Sequence, residues 1–303
     1  MRIGIDLGGT KIEGIVMGPD SRILQRQRVP TPQGDYAATL ACIVDLVHGL
    51  ERAAGGENLS VGIGHPGSVS PATGLMRNAN SVCLNGRPLQ RDLEALLGRE
   101  LRMANDANCL ALSEASDGAG AGAQSVFAVI LGTGVGGGIV VNGVTLVGAN
   151  GIGGEWGHNP LPWPRPEWGE VDGASCWCGR AGCIETWLSG VGLARDHTRV
   201  TQEKLSAEEI VARAEAGDEN AATTLARYED RLSRALAHVI NIVDPEVIVV
   251  GGGVSRVARL YRHVPALWDQ WVFSDVIATR LVAALHGDSS GVRGAAWLWP
   301  DLT

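Results

Sequence analysis

Three thiols, Cys176, Cys178 and Cys183, stand in the run Cys176-Trp177-Cys178-Gly179-Arg180-Ala181-Gly182-Cys183. Packed that closely they cannot all be buried core residues, because near neighbours point in different directions. They can instead converge on one ion, with Gly179 and Gly182 letting the backbone turn back on itself. His158, a short loop upstream, completes four soft or borderline ligands with no open position, which describes a structural zinc site. A disulfide between two of the thiols would strand the third and require an oxidising compartment that nothing else in the chain suggests. A redox pair fits less well, since the spacing is C-x-C and not C-x-x-C. Glu155 and Glu185 flank the knot, and two carboxylates beside a rigid loop suit a hydroxyl-rich ligand. Trp156, Trp163, Trp168, Trp177 and Trp187 crowd the same stretch; rings that dense favour packing around a small knot over a sugar-stacking wall.

A second chemical candidate is Asp106, placed where a strand ends and a helix begins. Its plain role is a helix N-cap. The other role is a general base, since a helix N-terminus keeps a carboxylate ionised and a phosphoryl acceptor hydroxyl needs one nearby. The short polar Asn105 precedes it, and residues alone leave both roles open. Glycine turns supply the third candidate. Ile3-Gly4-Ile5-Asp6-Leu7-Gly8-Gly9-Thr10 and Phe127-Ala128-Val129-Ile130-Leu131-Gly132-Thr133-Gly134 repeat one device, a buried strand running into a glycine turn and a second strand. Two such units suggest a duplicated α/β domain around a cleft, whose bare amides would hold a polyphosphate. A further turn at Gly251-Gly252-Gly253 closes a later strand. The run Gly132 to Gly138 is not a dinucleotide fingerprint, because it leads into Ile139-Val140-Val141, a strand, and Asn150-Gly151 stands near the position where an acid is required. No G-x4-G-K-[ST] loop is present.

The elements that must carry these groups follow from periodicity. Arg2–Leu7 and Ile12–Val16 read as a hairpin and Ser21–Val29 as a third strand. Leu40, Ile43, Val44, Leu46, Val47 and Leu50 mark a helix over 35–52, ending at Gly55-Gly56. Strands follow at 61–64, 101–104, 125–131, from Ile139, and at 247–250. Helices follow at 89–97, 107–115, 207–214, 221–242 and from Ser289. Two domains are expected: 1–118, completed by a last helix at 289–303, and 119–288. At 303 residues the chain is long enough for both cores, and its net charge of −8 argues against a nucleic-acid surface. No apolar run approaches a membrane span, and Arg2 leads straight into a strand, so a cytoplasmic location with reduced thiols is expected.

Together these runs resemble the ROK family of sugar kinases and sugar-responsive repressors. The matching residues are Asp6-Leu7-Gly8-Gly9-Thr10-Lys11, Asn105-Asp106, Leu131 to Gly138, Gly154-Glu155-Trp156-Gly157-His158 and Cys176-x-Cys178-Gly179-x2-Gly182-Cys183-x-Glu185. Within the family the chain looks similar to bacterial fructokinases, also called mannofructokinases, through Asn78-Ala79-Asn80-Ser81, Leu84-Asn85-Gly86, His158 to Trp163 and His286 to Gly291. The resemblance implies an actin-like ATPase (ribonuclease H-like) fold that closes on ATP and a hexose, with phosphoryl transfer to the 6-hydroxyl, fructose giving fructose 6-phosphate. Asp106 matches the general base; Asn80, Asn105, Glu155, His158 and Glu185 match sugar-binding positions. His158 would use one ring nitrogen for zinc and the other for sugar. Gly8, Gly9, Thr10, Lys11, Gly132, Thr133 and Gly134 match the phosphate turns, Gly251 and Gly252 the wall near adenosine, and Asp6 a position associated with Mg2+. A homodimer is implied.

Glucokinase, mannokinase and N-acetylhexosamine kinase are alternatives of the same family. A sugar-sensing repressor is the alternative of another class, disfavoured because the chain opens on its first strand with no basic recognition helix. A zinc-stabilised sugar-binding protein without catalysis would require defects at Asp106 or the glycine turns, which are intact.

Overall fold

The computed structural model describes residues 1–299; positions 300–303 of the expected terminal helix lie outside the described residues. The chain opens with β1 (Arg2–Leu7), β2 (Lys11–Met17) and β3 (Ile23–Pro30). β1 and β2 pair antiparallel across a turn in which Gly8 N–H donates to the Lys11 carbonyl. Helix α1 (Tyr36–Ala54) follows, capped by the Asp35 side chain on Ala38 N–H and closed by Gly55 in the left-handed region. Next come β4 (Ser60–His65), a small ribbon of β5 (Ser68–Val69) and β6 (Met76–Arg77), then α2 (Leu89–Leu97), β7 (Leu101–Asn105) and α3 (Asp106–Asp117). The sheet order is β3-β2-β1-β4-β7, with β1, β4 and β7 parallel. The helical spacing of Leu40, Ile43, Leu46, Val47 and Leu50 packs one side of α1 on Ile3, Ile5, Val61 and Ile63, all fully or almost fully buried.

The middle of the chain forms β8 (Ser125–Leu131), β9 (Val135–Val141), β10 (Val144–Thr145), α4 (Ile184–Leu188), α5 (Gly190–Thr201), α6 (Ala207–Glu215), α7 (Glu219–Val243), β11 (Val247–Gly251), α8 (Leu260–His263) and β12 (Arg280–Ala283). The second sheet has the order β10-β9-β8-β11-β12, with β8, β11 and β12 parallel. Like the first sheet, it runs a strand into a glycine turn and a following strand, then adds parallel strands on the other side. This is the duplicated mixed α/β architecture expected from the internal echo, and the actin-like ATPase fold that the family resemblance implies.

Finally α9 (Ser290–Trp297) packs against the first sheet. Two glycines permit that approach. A Cβ on Gly62 of β4 would lie 1.8 Å from the Ala295 carbonyl oxygen, and one on Gly294 would lie 1.7 Å from that of Cys109 in α3. Two compact units result among the described residues: Met1–Gly122 with Gly138–Gly153 and residues 285–299, and Ala123–Gly137 with Gly154–Ala284. Residues 138–153, assigned to the second domain on sequence, group with the first unit.

Two local expectations change. The strand expected from Ile139 begins at Val135, so most of the glycine run is strand and not turn. Its glycines serve close approach: a Cβ on Gly137 would lie 2.7 Å from both the Gly154 carbonyl oxygen and the Trp156 ring. Helices α4 and α5 were not foreseen, because α5 opens on Gly190-Val191-Gly192, a poor helix signal. The Ser189 side chain starts it by accepting from Gly192 N–H at 3.0 Å.

The second unit is tied together by charge. Arg231 and Arg234, both almost fully buried on α7, donate to the equally buried Glu170, with N–O distances of 2.7 and 2.9 Å. Arg234 also donates to the Pro162 and Trp163 carbonyls at 2.8 and 2.7 Å. Arg227 and Arg231 hold Asp196 of α5. Burial alone would raise the Asp196 carboxyl, but the Arg231 bond and the other guanidinium groups hold it down at about 2. Residues 162–170, which lead into the cysteine loop, are thereby fixed to α7 and α5.

Candidate active site

In the first unit the chemistry collects at the carboxyl ends of the parallel strands. Asp6 lies near the end of β1, in register with Gly64 of β4, and His65 of β4 is in register with Asn105 of β7. Asp106 then opens α3. The cap of that helix is Asn105, whose Oδ1 accepts from Ala107 N–H at 2.9 Å, so the capping role considered for Asp106 belongs to its neighbour. Asp106 Oδ1 shares the same N–H at 2.8 Å, which orients the carboxylate. Asn105 Nδ2 donates to the Gly67 carbonyl, fixing the turn after β4.

Solvent reaches the Asp106 side chain, yet surrounding protein desolvates its carboxyl and raises it above the ordinary range. Asp6 is half-buried, and desolvation together with the charges of Asp106 and Glu13 pushes its carboxyl up to about 6, against the pull of Lys11. No protein donor reaches the Asp6 carboxylate among the described residues. A desolvated acid beside a second acid, with no protein donor, is an environment suited to a hydrated divalent cation. The turn between β1 and β2 is held from outside: Thr31 Oγ1 donates to the Gly8 carbonyl at 2.7 Å and Gln33 to that of Gly9 at 3.2 Å. Lys11 lies 3.9 Å from Glu13 and remains half-exposed. Asn80 lines a cavity of about 430 Å³ together with Gly9, Thr10, Ser81 and Leu84.

In the second unit the glycine turns lie side by side. β11 is parallel to β8, Gly251 pairs with Ile130, and Gly252, at φ +82°, lies so close to Leu131 that a Cβ would come within 2.5 Å of its carbonyl. The Gly132–Gly134 turn is closed by Gly132 N–H on the Gly134 carbonyl, and Gly190 N–H donates to the Gly132 carbonyl. The start of α5 therefore abuts this turn, a feature that sequence reasoning missed. Glu185 reaches the same place. Its Oε2 accepts from Val135 N–H at 3.0 Å and would lie 2.8 Å from a Cβ on Gly134.

The cysteine loop is a tight hairpin. Cys176 N–H donates to the Arg180 carbonyl at 2.7 Å, Gly179 and Gly182 adopt φ +87° and +71°, and Cys183 forms an antiparallel bridge with Pro160. Sulfur and nitrogen atoms of Cys176, Cys178, Cys183 and His158 all lie within 4.8 Å of one another. Cys178 and Cys183 sulfurs are 3.6 Å apart, and Cys176 sulfur lies 3.5 Å from His158 Nδ1. A tetrahedral zinc ion with ordinary bond lengths requires about 3.8 Å between thiolates and about 3.5 Å between thiolate and imidazole. The donor set thus has the kinds and spacings such an ion needs, with Nδ1 on the metal side and Nε2 left over. Glu155 precedes the turn Trp156–His158, whose Trp156 indole donates to the Gly136 carbonyl at 3.1 Å.

The fold and these glycine turns define an actin-like ATPase architecture of the kind used by sugar kinases. A family model described as the ROK family matches residues 2–302, and the chain belongs to that family. It is 39% identical over 300 residues to an N-acetyl-D-glucosamine kinase of Yersinia enterocolitica, covering 98% of this chain and 99% of the relative. Among solved structures it is similar to the ROK hexokinase from Thermus thermophilus (TM-score 0.85, 32% identity, 98% and 96% of the two chains). It is also similar to a ROK family glucokinase from Streptomyces griseus in complex with glucose and AMPPNP (TM-score 0.78, 30% identity, 98% of each chain).

Proposed function

We propose that this ROK-family sugar kinase transfers the γ-phosphoryl group of ATP to the 6-hydroxyl of a hexose, with fructose the preferred acceptor. The observation that carries the kinase chemistry is Asp106, a carboxylate raised in affinity for protons and oriented by Ala107 N–H beside the desolvated Asp6. A base whose proton affinity is raised toward the working pH is better suited to taking the hydroxyl proton as phosphoryl transfers. Asp6 would hold Mg2+ through water, which neutralises charge on the transferring group. Gly8, Gly9, Thr10, Lys11, Gly132, Thr133 and Gly134 would cradle phosphate, and Gly251 and Gly252 would back the adenosine. Asn80, Asn105, Glu155, His158 and Glu185 would meet sugar hydroxyls. Zinc on the three thiols and His158 Nδ1 would fix that imidazole so that Nε2 faces the sugar.

The fructose reading rests on the resemblance of the runs Asn78 to Ser81, Leu84 to Gly86 and His158 to Trp163 to bacterial fructokinases. The Asn85 amide clasps both backbone groups of Ala79 at 2.9 Å, so two of those runs form one rigid loop beside Asn80. A second reading, N-acetylglucosamine, is favoured by the Yersinia relative. A coupled ADP-release assay with fructose, mannose, glucose and N-acetylglucosamine decides between them: the largest kcat/KM belongs to fructose on the first reading and to N-acetylglucosamine on the second. No ATP-dependent turnover on any of them refutes the kinase proposal. Asp106→Asn is expected to bind sugar while losing turnover by about three orders of magnitude; near-normal turnover would end its assignment as base.

A further inference from the structure

Trp177 stands between two of the clustered cysteines and is 66% exposed, an unfavourable place for a packing residue. Its contacts are specific. The indole N–H donates to Glu185 Oε1 at 2.8 Å, and the ring meets His158 edge-on, with centroids 4.9 Å apart and planes at 87°. Glu185 is held at its other end, Oε2, by Val135 N–H at the glycine turn. One exposed indole therefore sets the orientation of two side chains at once, and each of its sequence neighbours is a thiol of the hairpin.

We propose that Trp177 is a positioning residue for the sugar acceptor, holding the Glu185 carboxylate and the His158 ring in the geometry that receives hexose hydroxyls. This rests on the reading of Glu185 and His158 as sugar-binding groups. A bond from an indole N–H to a carboxylate is charge-assisted, and together with the Val135 N–H on Oε2 it holds the Glu185 carboxylate at both oxygens. The hairpin makes the link rigid because residues 176 and 178 are pinned with it. The glycine turn makes it two-ended, so Glu185 couples the hairpin to the turn backbone within the same unit.

Trp177→Phe keeps the ring against His158 and removes the N–H; Trp177→Ala removes both. The test is hexose affinity by titration calorimetry, kinetic constants for sugar and ATP, and metal content. The expected result for Trp177→Phe is an approximately tenfold weaker hexose affinity and higher sugar KM, the size of one charge-assisted hydrogen bond. Its metal content and KM for ATP stay at wild-type values. Trp177→Ala weakens sugar binding further. In a Glu185→Ala background the Trp177→Phe change has no additional effect, which a general structural role would not reproduce. Wild-type affinity in Trp177→Phe, an additive effect in the double variant, or loss of metal in Trp177→Phe would overturn the inference while leaving the kinase reading intact. Absence of hexose binding in the unaltered protein would overturn the sugar-binding reading itself.

Discussion

Asp6→Asn should make this protein more stable and less active. The Asp6 carboxyl is lifted from its ordinary value of 3.8 to about 6 by desolvation and by the negative charges of Asp106 and Glu13. A raised carboxyl means the folded chain binds a proton that the unfolded chain has already released. Stability from this group is thus fully present below about pH 4 and lost as pH rises through about 6. A rise of that size costs about 3 kcal/mol of stability at neutral pH, before solvent at this half-buried site screens part of it. Asparagine is nearly isosteric and uncharged, so Asp6→Asn should recover about 1–3 kcal/mol at pH 7.5 and only about a third of that at pH 4.5. Urea unfolding at the two pH values measures this. Adding Mg2+ and ATP should narrow or reverse the difference, because only the ionised carboxylate attracts the cation. Turnover should fall in the same variant. A variant no more stable than wild type at pH 7.5, or equally stabilised at both pH values, would refute the electrostatic reasoning.

Cys178→Ser should lower metal content from about one ion per chain toward zero and weaken hexose binding, since a closed four-ligand site tolerates no missing thiolate; unchanged metal by elemental analysis would show that the ligand set is wrong. Gly62→Ala should cost about 3 kcal/mol or prevent folding, because the new Cβ would lie 1.8 Å from the Ala295 carbonyl oxygen and backbone cannot yield there. A thermal midpoint equal to wild type would show that α9 can retreat from the sheet.

The cysteine cluster was legible at a distance because its chemistry is local: three thiols within eight positions and one histidine nearby leave few alternatives, and the sulfur and nitrogen spacings follow. The two-sheet architecture was legible for a related reason, since each buried strand ending in glycine repeats a pattern that periodicity exposes. Asp106 was ambiguous in sequence, and local geometry resolved half of the ambiguity by giving the helix cap to Asn105. Boundaries inside Gly132 to Gly138 were misjudged. Glycine there marks close approach to Trp156 and Gly154, and contacts between residues far apart in sequence leave no local signature.

What the residues determined alone is therefore what adjacent side chains and short periods can encode: the cysteine–histidine cluster, the glycine turns, the buried strands and most of the helices. Packing decided the rest. Periodicity places Arg231 and Arg234 in the helix expected over 221–242 but names no partner for them; they lie buried against Glu170 and fix residues 162–170. Trp177 read as packing, yet it is exposed and bonded to Glu185. In both cases the energy of the side chain depends on a partner brought from elsewhere in the chain, and only the folded molecule states who that partner is.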